Sequence, residues 1–398
     1  MQRIHIVGGG LAGLAAAVTA AESRAPVTLH EAHRTLGGRA RTSEGPYLTN
    51  EGPHALYRRG PHWAWLEQRG LLVPFASVPP REGTRFLFHR GGALRRTPPL
   101  SLLRLARLNP RSAPVGSDFH SWATGRVGEE GARAAAHYMG VALFHHDPGS
   151  LSAAFVQERL RRATALPPEA RYPVGGWARL VERMASHARG LGVRIETGGR
   201  VGPGDLEDLR RAGPVIVATQ LDSARTLLGD PSLTWDSGRT ALLDLALRTR
   251  RGDPFIVSDL DAPGWIERFT AQDPTLAPSG EQLVQAQIPL APGAARADAV
   301  RRAEHLLDLG FPGWRDRTTW RREALASGRT GAVDKPGTTW RDRPAVDRGD
   351  GILLAGDQVA APGLLSEVAF ASGIEAAVLA VGLLGGSTPS TQRATGSS

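Results

Sequence analysis

Residues 3–31 read RIHIVGGGLAGLAAAVTAAESRAPVTLHE, and this stretch decides the fold. Arg3–Val7 is compact and β-prone and runs directly into Gly8-Gly9-Gly10-Leu11-Ala12-Gly13. Leu11–Ser23 is rich in alanine and predicts a helix; Pro26–His30 predicts a second strand, ending at Glu31. Strand, glycine turn, helix, strand and acid, in that order, make a dinucleotide-binding βαβ unit. Each part has a physical task. Gly8 permits the tight turn, Gly10 lets a diphosphate approach the backbone, and Gly13 lets the helix lie close to the strand. The start of the helix, at Leu11 and Ala12, offers unpaired N–H groups and the positive end of the helix dipole to phosphates. Glu31, with Ala32 beside it, accepts hydrogen bonds from ribose hydroxyls, and its charge disfavours a 2′-phosphate.

The rest of the chain bounds what this unit belongs to. A length of 398 residues is enough for two or three domains of about 150 residues each. Cysteine is absent, which excludes a disulfide framework, a thiolate metal site and a cysteinyl link to a flavin. No unbroken apolar run reaches the length of a membrane span, and the N-terminus lacks the pattern of a secretory signal, so a cytoplasmic location is expected. The net charge is +9, carried by arginine with Lys335 as the single lysine. The arginines are scattered, with no basic block interleaved with aromatics, so no nucleic-acid partner is expected. A weak contact with a membrane surface stays open, as does the oligomeric state.

Three further stretches identify the cofactor by resemblance. Leu36-Gly37-Gly38-Arg39-Ala40-Arg41-Thr42 follows Glu31, and Thr49-Asn50-Glu51-Gly52-Pro53-His54-Ala55-Leu56-Tyr57 follows that. Near the other end, Gly351–Asp357 reads as a buried strand closing in Gly356-Asp357; a loop to Leu364 and a helical run Leu365–Ala380 come next. The set resembles the phytoene desaturase/flavin amine oxidase superfamily, in its bacterial phytoene-dehydrogenase-like form, across the whole chain. The resemblance implies non-covalent FAD. Gly37 and Gly38 allow close backbone approach, and Arg39 or Arg41 can bind phosphate oxygens. Gly52, Pro53 and His54 would pass the isoalloxazine ring, with His54 as the catalytic candidate; its alternative is a histidine hydrogen-bonded in the domain seam. Val201 would meet adenine through its backbone, and Ala218-Thr219 would end a strand of the same domain. Asp357 would bind the ribityl or diphosphate region, with N–H groups around Leu364, Leu365 and Ser366 facing the flavin N1–C2=O edge. Glu367 and Ser372 are read as capping and packing residues.

The implied fold class is α/β: a Rossmann-like FAD-binding domain carrying a discontinuous α+β substrate domain. The FAD domain is expected in 1–57, 171–235 and 326–384, the substrate domain in 58–170 and 236–325, and a disordered tail in 385–398. Helices are expected over 102–108, 129–142, 152–163, 178–191 and 297–309, and strands over 192–197, 213–219, 242–247 and 283–288. His145-His146-Asp147 invites a metal, but adjacent side chains point apart and chelate poorly, so none is expected. The resemblance implies dehydrogenation of a small, largely apolar organic substrate by hydride transfer to flavin N5. A flavin amine oxidase, a protoporphyrinogen-oxidase-like enzyme and a non-catalytic prenyl-binding module of the GDP-dissociation-inhibitor type are the alternatives. Amine oxidases commonly place a lysine near the flavin; Lys335 is the one lysine available, and a surface turn is the competing reading of it.

Overall fold

The computed structural model describes residues 2–50 and 55–385. Gly52, Pro53, His54 and the tail 386–398 lie outside the described residues.

Two sheets dominate. The first is parallel and five-stranded among the described residues: Ile4–Val7, Val27–Glu31, Arg194–Thr197, Val215–Val217 and Ile352–Leu354. Counted along the chain, these strands lie in the order 3-2-1-4-5, and the order reverses at the first strand, as in a doubly wound fold. Ile4, Ile6, Leu29, Val215, Ile216 and Leu353 are fully or almost fully buried, as strands covered on both faces require. The helix Leu11–Glu22 leaves the first strand through the glycine turn and packs against Trp177–Gly190 and Ser366–Gly385. Gly373 makes the last packing close: a Cβ there would sit 2.3 Å from the Ala12 carbonyl oxygen. The two ends of the chain therefore meet helix to helix.

The second sheet has seven strands among the described residues. Their order is Thr318–Ala332, Ser237–Arg248, Glu281–Pro289, Gly264–Arg268, Ile256–Asp259, Phe86–Arg90 and Ala93–Arg95. Pairing is antiparallel except between Ile256–Asp259 and Phe86–Arg90. Alternation separates its faces. Leu243, Leu245, Val257, Val284 and Ile266 join the helix Arg296–Gly310 through Ala299, Ala303, Leu306 and Leu307. The opposite face carries Asp244, Gln285 and Glu267, which stand in register on three adjacent strands. A helical layer, Leu100–Arg107, Phe119–Val127, Glu129–Leu143 and Ala153–Ala163, completes this half around Phe119, Met139, Val156 and Leu160.

The expected elements appear within one to three residues at most ends, the usual fraying of helix boundaries. Three points differ. The strands at 242–247 and 283–288 extend to 237–248 and 281–289. The hairpin Phe86–Arg95 adds strands to a region read as helical. The strand Thr318–Ala332 runs unbroken through the proposed boundary between residues 325 and 326, because its pairing with Ser237–Arg248 continues past that point.

Among the described residues one helix, Ser366–Gly385, is long and apolar enough to cross a membrane by length and composition. Val368, Phe370, Ala376, Ala377 and Ala380 are buried in the core of the parallel-sheet half, which accounts for its apolar character.

Candidate functional site

A cavity of about 410 Å³ runs along the carboxyl edge of the parallel sheet, where ligands of doubly wound folds bind. Val7, Glu31, Ala218 and Gly356, which lie at or within two residues of the ends of four of the five strands, line it.

The N-terminal turn is built as its sequence requires. Gly8 has φ +111°, and a Cβ on it would lie 2.4 Å from the Ala218 carbonyl oxygen. Gly13 is tighter: its Cβ would lie 1.9 Å from the carbonyl oxygen of Gly8. Gly10 differs, since its Cβ would meet nothing nearer than the Gly37 oxygen at 3.9 Å. The space in front of Gly10 is the cavity itself. No side chain caps the helix that Gly10 opens, so its first N–H groups are available to an anion. Glu31 is held from two sides, one carboxylate oxygen accepting from Gly9 N at 2.7 Å and the other from His33 N at 2.8 Å. Each oxygen keeps acceptor capacity toward the cavity.

The other motifs converge on the same space. Gly37 and Gly38 take φ +112° and +58°, and Gly37 N donates to the Gly9 carbonyl at 2.8 Å. Gly356 (φ +154°) donates its N–H to Ser372 Oγ at 2.9 Å, and that hydroxyl donates back to the Gly356 carbonyl at 3.0 Å. Leu365 sits at φ +51° where the C-terminal helix begins. Arg39 of the N-terminal segment and Asp357 of the C-terminal one form an ion pair of 2.6 Å at the cavity wall.

Gly8, Gly10, Leu11, Ala12, Glu31, Ala32, Gly37, Gly38, Arg39, Val201, Ala218, Thr219, Gly356, Asp357, Leu365 and Ser366 all line the cavity. Gly13 does not, being the packing contact beneath the turn; Leu364 is buried away from the lining and donates its N–H to Glu367 Oε2 at 3.1 Å. Glu367 and Ser372 thus serve the structural tasks expected of them. The sequence did not single out His33, Trp177, Arg200, Gln220 or Ser223, which also line the cavity. Proximity to Glu31 and Thr219 in sequence was the available signal for His33, Gln220 and Ser223.

Lys335 is 62% exposed in its side chain and pairs with Asp236 at 2.6 Å, away from the cavity. The rings of His145 and His146 lie 4.7 Å apart, tilted by 40°, and among the described residues they join no metal-type grouping. The metal-type grouping among the described residues is His89, Asp259 and Asp261. Its oxygens already accept from the N–H groups of Gly91, Asp261 and Ala262, and Asp259 pairs with Arg302 at 3.3 Å, so the group reads as a strut.

The seam facing the seven-stranded sheet is polar. Asp244 accepts from Gln285 at 2.6 Å and from Arg322 at 2.9 Å, and burial pushes its carboxyl up. Arg322 also reaches the Asn50 carbonyl at 3.4 Å, beside the second glycine segment. Glu267 accepts from Tyr172 Oη at 3.1 Å and Gln272 Nε2 at 2.8 Å with no cation near, and burial pushes it up to about 7. These residues carry no sequence motif; only their burial marks them.

The comparisons agree with this geometry. The NAD(P)-binding Rossmann-like domain family matches residues 6–72. A carotenoid phi-ring synthase from Streptomyces griseus is 37% identical over 141 residues, covering 28% of this chain and 26% of that protein. The chain thus spans about a quarter of the length of that curated relative. An oxidoreductase from Methanosarcina mazei superposes with a TM-score of 0.75 at 16% identity, over 94% of this chain and 99% of the other. Cyclohexylamine oxidase from Brevibacterium oxydans gives 0.71 at 16% identity, over 96% and 99%. Reduced UDP-galactopyranose mutase gives 0.66 at 14% identity, over 96% of each. At such identities the likeness is one of fold. That fold, a Rossmann-like domain joined to a second, mostly antiparallel sheet, is shared with these neighbours.

Proposed function

We propose that this protein is an FAD-dependent oxidoreductase that dehydrogenates a small organic substrate. One observation carries the reading: motifs from both ends of the chain line one cavity along the carboxyl edge of the sheet. The residues fit the cofactor. Open space before Gly10 and an uncapped helix start suit a diphosphate; Glu31 suits a ribose diol, and the Gly199–Val201 segment suits the adenine end. Arg39, Asp357 and the backbone at Leu365 and Ser366 suit the far half of the molecule. When bound, FAD supplies a two-electron sink for a hydride leaving a substrate C–H.

The protein's own part is placement and electrostatics. Its first-helix N–H groups hold the negative charge of the diphosphate. The start of the C-terminal helix puts a second positive dipole end beside the cavity, which favours charge developing there. Tyr57, Tyr138 and Tyr172 stay neutral phenols, since burial pushes all three up. Identity to a carotenoid enzyme over part of the chain supports a largely apolar substrate. Asp244 and Glu267 in the seam, with the fold shared with cyclohexylamine oxidase, favour an amine as the second reading. The absence of cysteine suits a reducing, cytoplasmic setting.

The test is direct. Purified protein is expected to be yellow and to release FAD on denaturation. Anaerobic addition of polyenes or of amines should bleach the colour for one class and not the other. A colourless protein that does not take up FAD would leave the prenyl-binding alternative and end the enzymatic reading.

A further inference from the structure

The helix Ala153–Ala163 turns two arginines, Arg159 and Arg162, toward the segment that leads into the C-terminal helix. They stand i, i+3, on one side of the helix. Arg162 is neutralised there by Glu169 and Glu367. Arg159 is not neutralised to the same degree. It is 8% exposed, and its guanidinium lies 3.5 Å from the centre of the Phe155 ring. Nη1 donates to the Phe155 carbonyl at 3.0 Å and Nη2 to the Gly363 carbonyl at 3.4 Å. The carboxylate that meets it is Glu158, at 3.3 Å, and Glu158 is 56% exposed. A pair with one member in water offsets little of a buried charge. Burial pushes Arg159 down to about 10, which still leaves it a cation at neutral pH.

What this charge faces is a small hollow. Arg159, Arg343, Asp357 and Leu365 wall it, and its volume is about 10 Å³, room for about one water molecule. That is too little for a substrate group, so the hollow is not itself a ligand site. Asp357 and Leu365 also wall the main cavity, so the hollow backs directly onto it. The other charges here are matched. Arg343 pairs with buried Asp334 at 2.8 Å, and Asp357 with Arg39 at 2.6 Å. Asp334 and Glu367 attract Arg159 as well, but each already has its own arginine. Among the described residues around this hollow, Arg159 is the cation with the weakest countercharge.

The layout of the cavity says which part of a ligand lies at this end. Adenine suits Gly199–Val201, the ribose suits Glu31 and the diphosphate suits Gly10, which leaves the isoalloxazine to the end at Asp357 and Leu365. We propose that Arg159 stabilises the negative charge of the reduced isoalloxazine, its buried cation acting across the water-sized hollow. This inference rests on the FAD reading above. The oxidised ring is neutral; a hydride adding to N5 brings two electrons and leaves one negative charge on the ring. A fixed cation in water-excluded surroundings favours that state over the oxidised one.

Potentiometry and sulfite titration of the FAD-loaded full chain, at about pH 6.5, test this without a substrate. Sulfite bonds to flavin N5 through its sulfur lone pair and, like hydride, leaves negative charge on the ring. Arg159→Gln keeps an N–H donor for a backbone carbonyl and loses the charge. It should weaken sulfite binding at least about tenfold and lower the two-electron potential by about 30 mV for each tenfold. Arg159→Lys keeps the charge and should stay within about threefold of the parent. Parent-like sulfite affinity and potential in the glutamine variant would overturn the inference. Equal losses in both variants would do the same, marking packing and not charge, and so would failure of both to fold, which would make Arg159 a strut. FAD uptake separates the two levels of the argument. A chain that takes up no FAD ends the function proposed above and this inference with it; a yellow protein whose potential ignores Arg159 ends this inference alone.

Discussion

At the scale of single residues, Glu267 is a buried acid held by neutral partners. It is 4% exposed, its partners are neutral, and burial raises it from the ordinary carboxylate range to about 7. A carboxyl raised in the folded state holds its proton where the unfolded chain has lost it. The folded protein therefore loses stability as pH climbs from the unfolded value to the folded one, and the full penalty applies above it. The gap corresponds to a penalty on the order of 3 kcal/mol at most. Glu267→Gln keeps an acceptor for Tyr172 without the charge. Chemical denaturation should show it about as stable as the parent near pH 5 and more stable by ~1–3 kcal/mol near pH 8. If the two proteins lose stability in parallel across that window, the buried-acid account is wrong. No local pattern announces Glu267. An acid in a strand is ordinarily on the wet side, and only the seam above the sheet removes water from it.

At the scale of elements, the first helix shows why glycines in one motif are not equivalent. Gly13 is fixed by packing, with its Cβ position 1.9 Å from a carbonyl oxygen; Gly10 is bounded only by the cavity. Gly13→Ala should destabilise the fold by about 2 kcal/mol or more, since backbone must move. Gly10→Val should leave the melting temperature of the FAD-free protein nearly unchanged and weaken FAD binding at least about tenfold. Calorimetry and fluorescence titration of the two variants separate the roles; equal loss of FAD with equal loss of stability would refute the distinction. Such glycines were legible because a turn is a local demand. So were the helices, whose periodicity survives in any context. Thr318–Ala332 was not: its length comes from Ser237–Arg248 beside it, and a strand ends where its partner does.

At the scale of the whole molecule, one charged cluster ties the halves together. Arg162, on the helix Ala153–Ala163, pairs with Glu169 at 2.9 Å and with Glu367 of the C-terminal helix at 2.7 Å. Glu367 in turn holds the Leu364 N–H at the turn beside the cavity. His62, fully buried against Glu367, is pushed down to about 3, first by burial and then by Arg162, so it is neutral; Arg162 bridges both carboxylates, and the more exposed Arg59 lies 3.7 Å from Glu169. Arg162→Met leaves two buried carboxylates without it and should cost about 3–5 kcal/mol. Burial already raises Glu367 and Arg162 opposes the rise. The variant should therefore recover stability as pH falls toward 5, when the proton compensates. Adding Glu367→Gln to Arg162→Met should restore part of the loss at pH 8. A variant equally destabilised at all pH values, with no rescue, would show that packing and not charge makes the tie.

The sequence by itself determined the βαβ unit, the glycine segments around the cavity and the presence of a matching strand and helix near the far end. These follow from rules that act within a few residues: which backbone angles a turn demands, and which period an element repeats. Only the folded chain decided what those pieces share. Arg39 meets Asp357, Gly373 meets Ala12, Glu267 loses its water and Arg159 is shut in beside Asp357 and Leu365. Each of these depends on burial or contact between distant residues, and neither distance through space nor exclusion of water is written in any single stretch of chain.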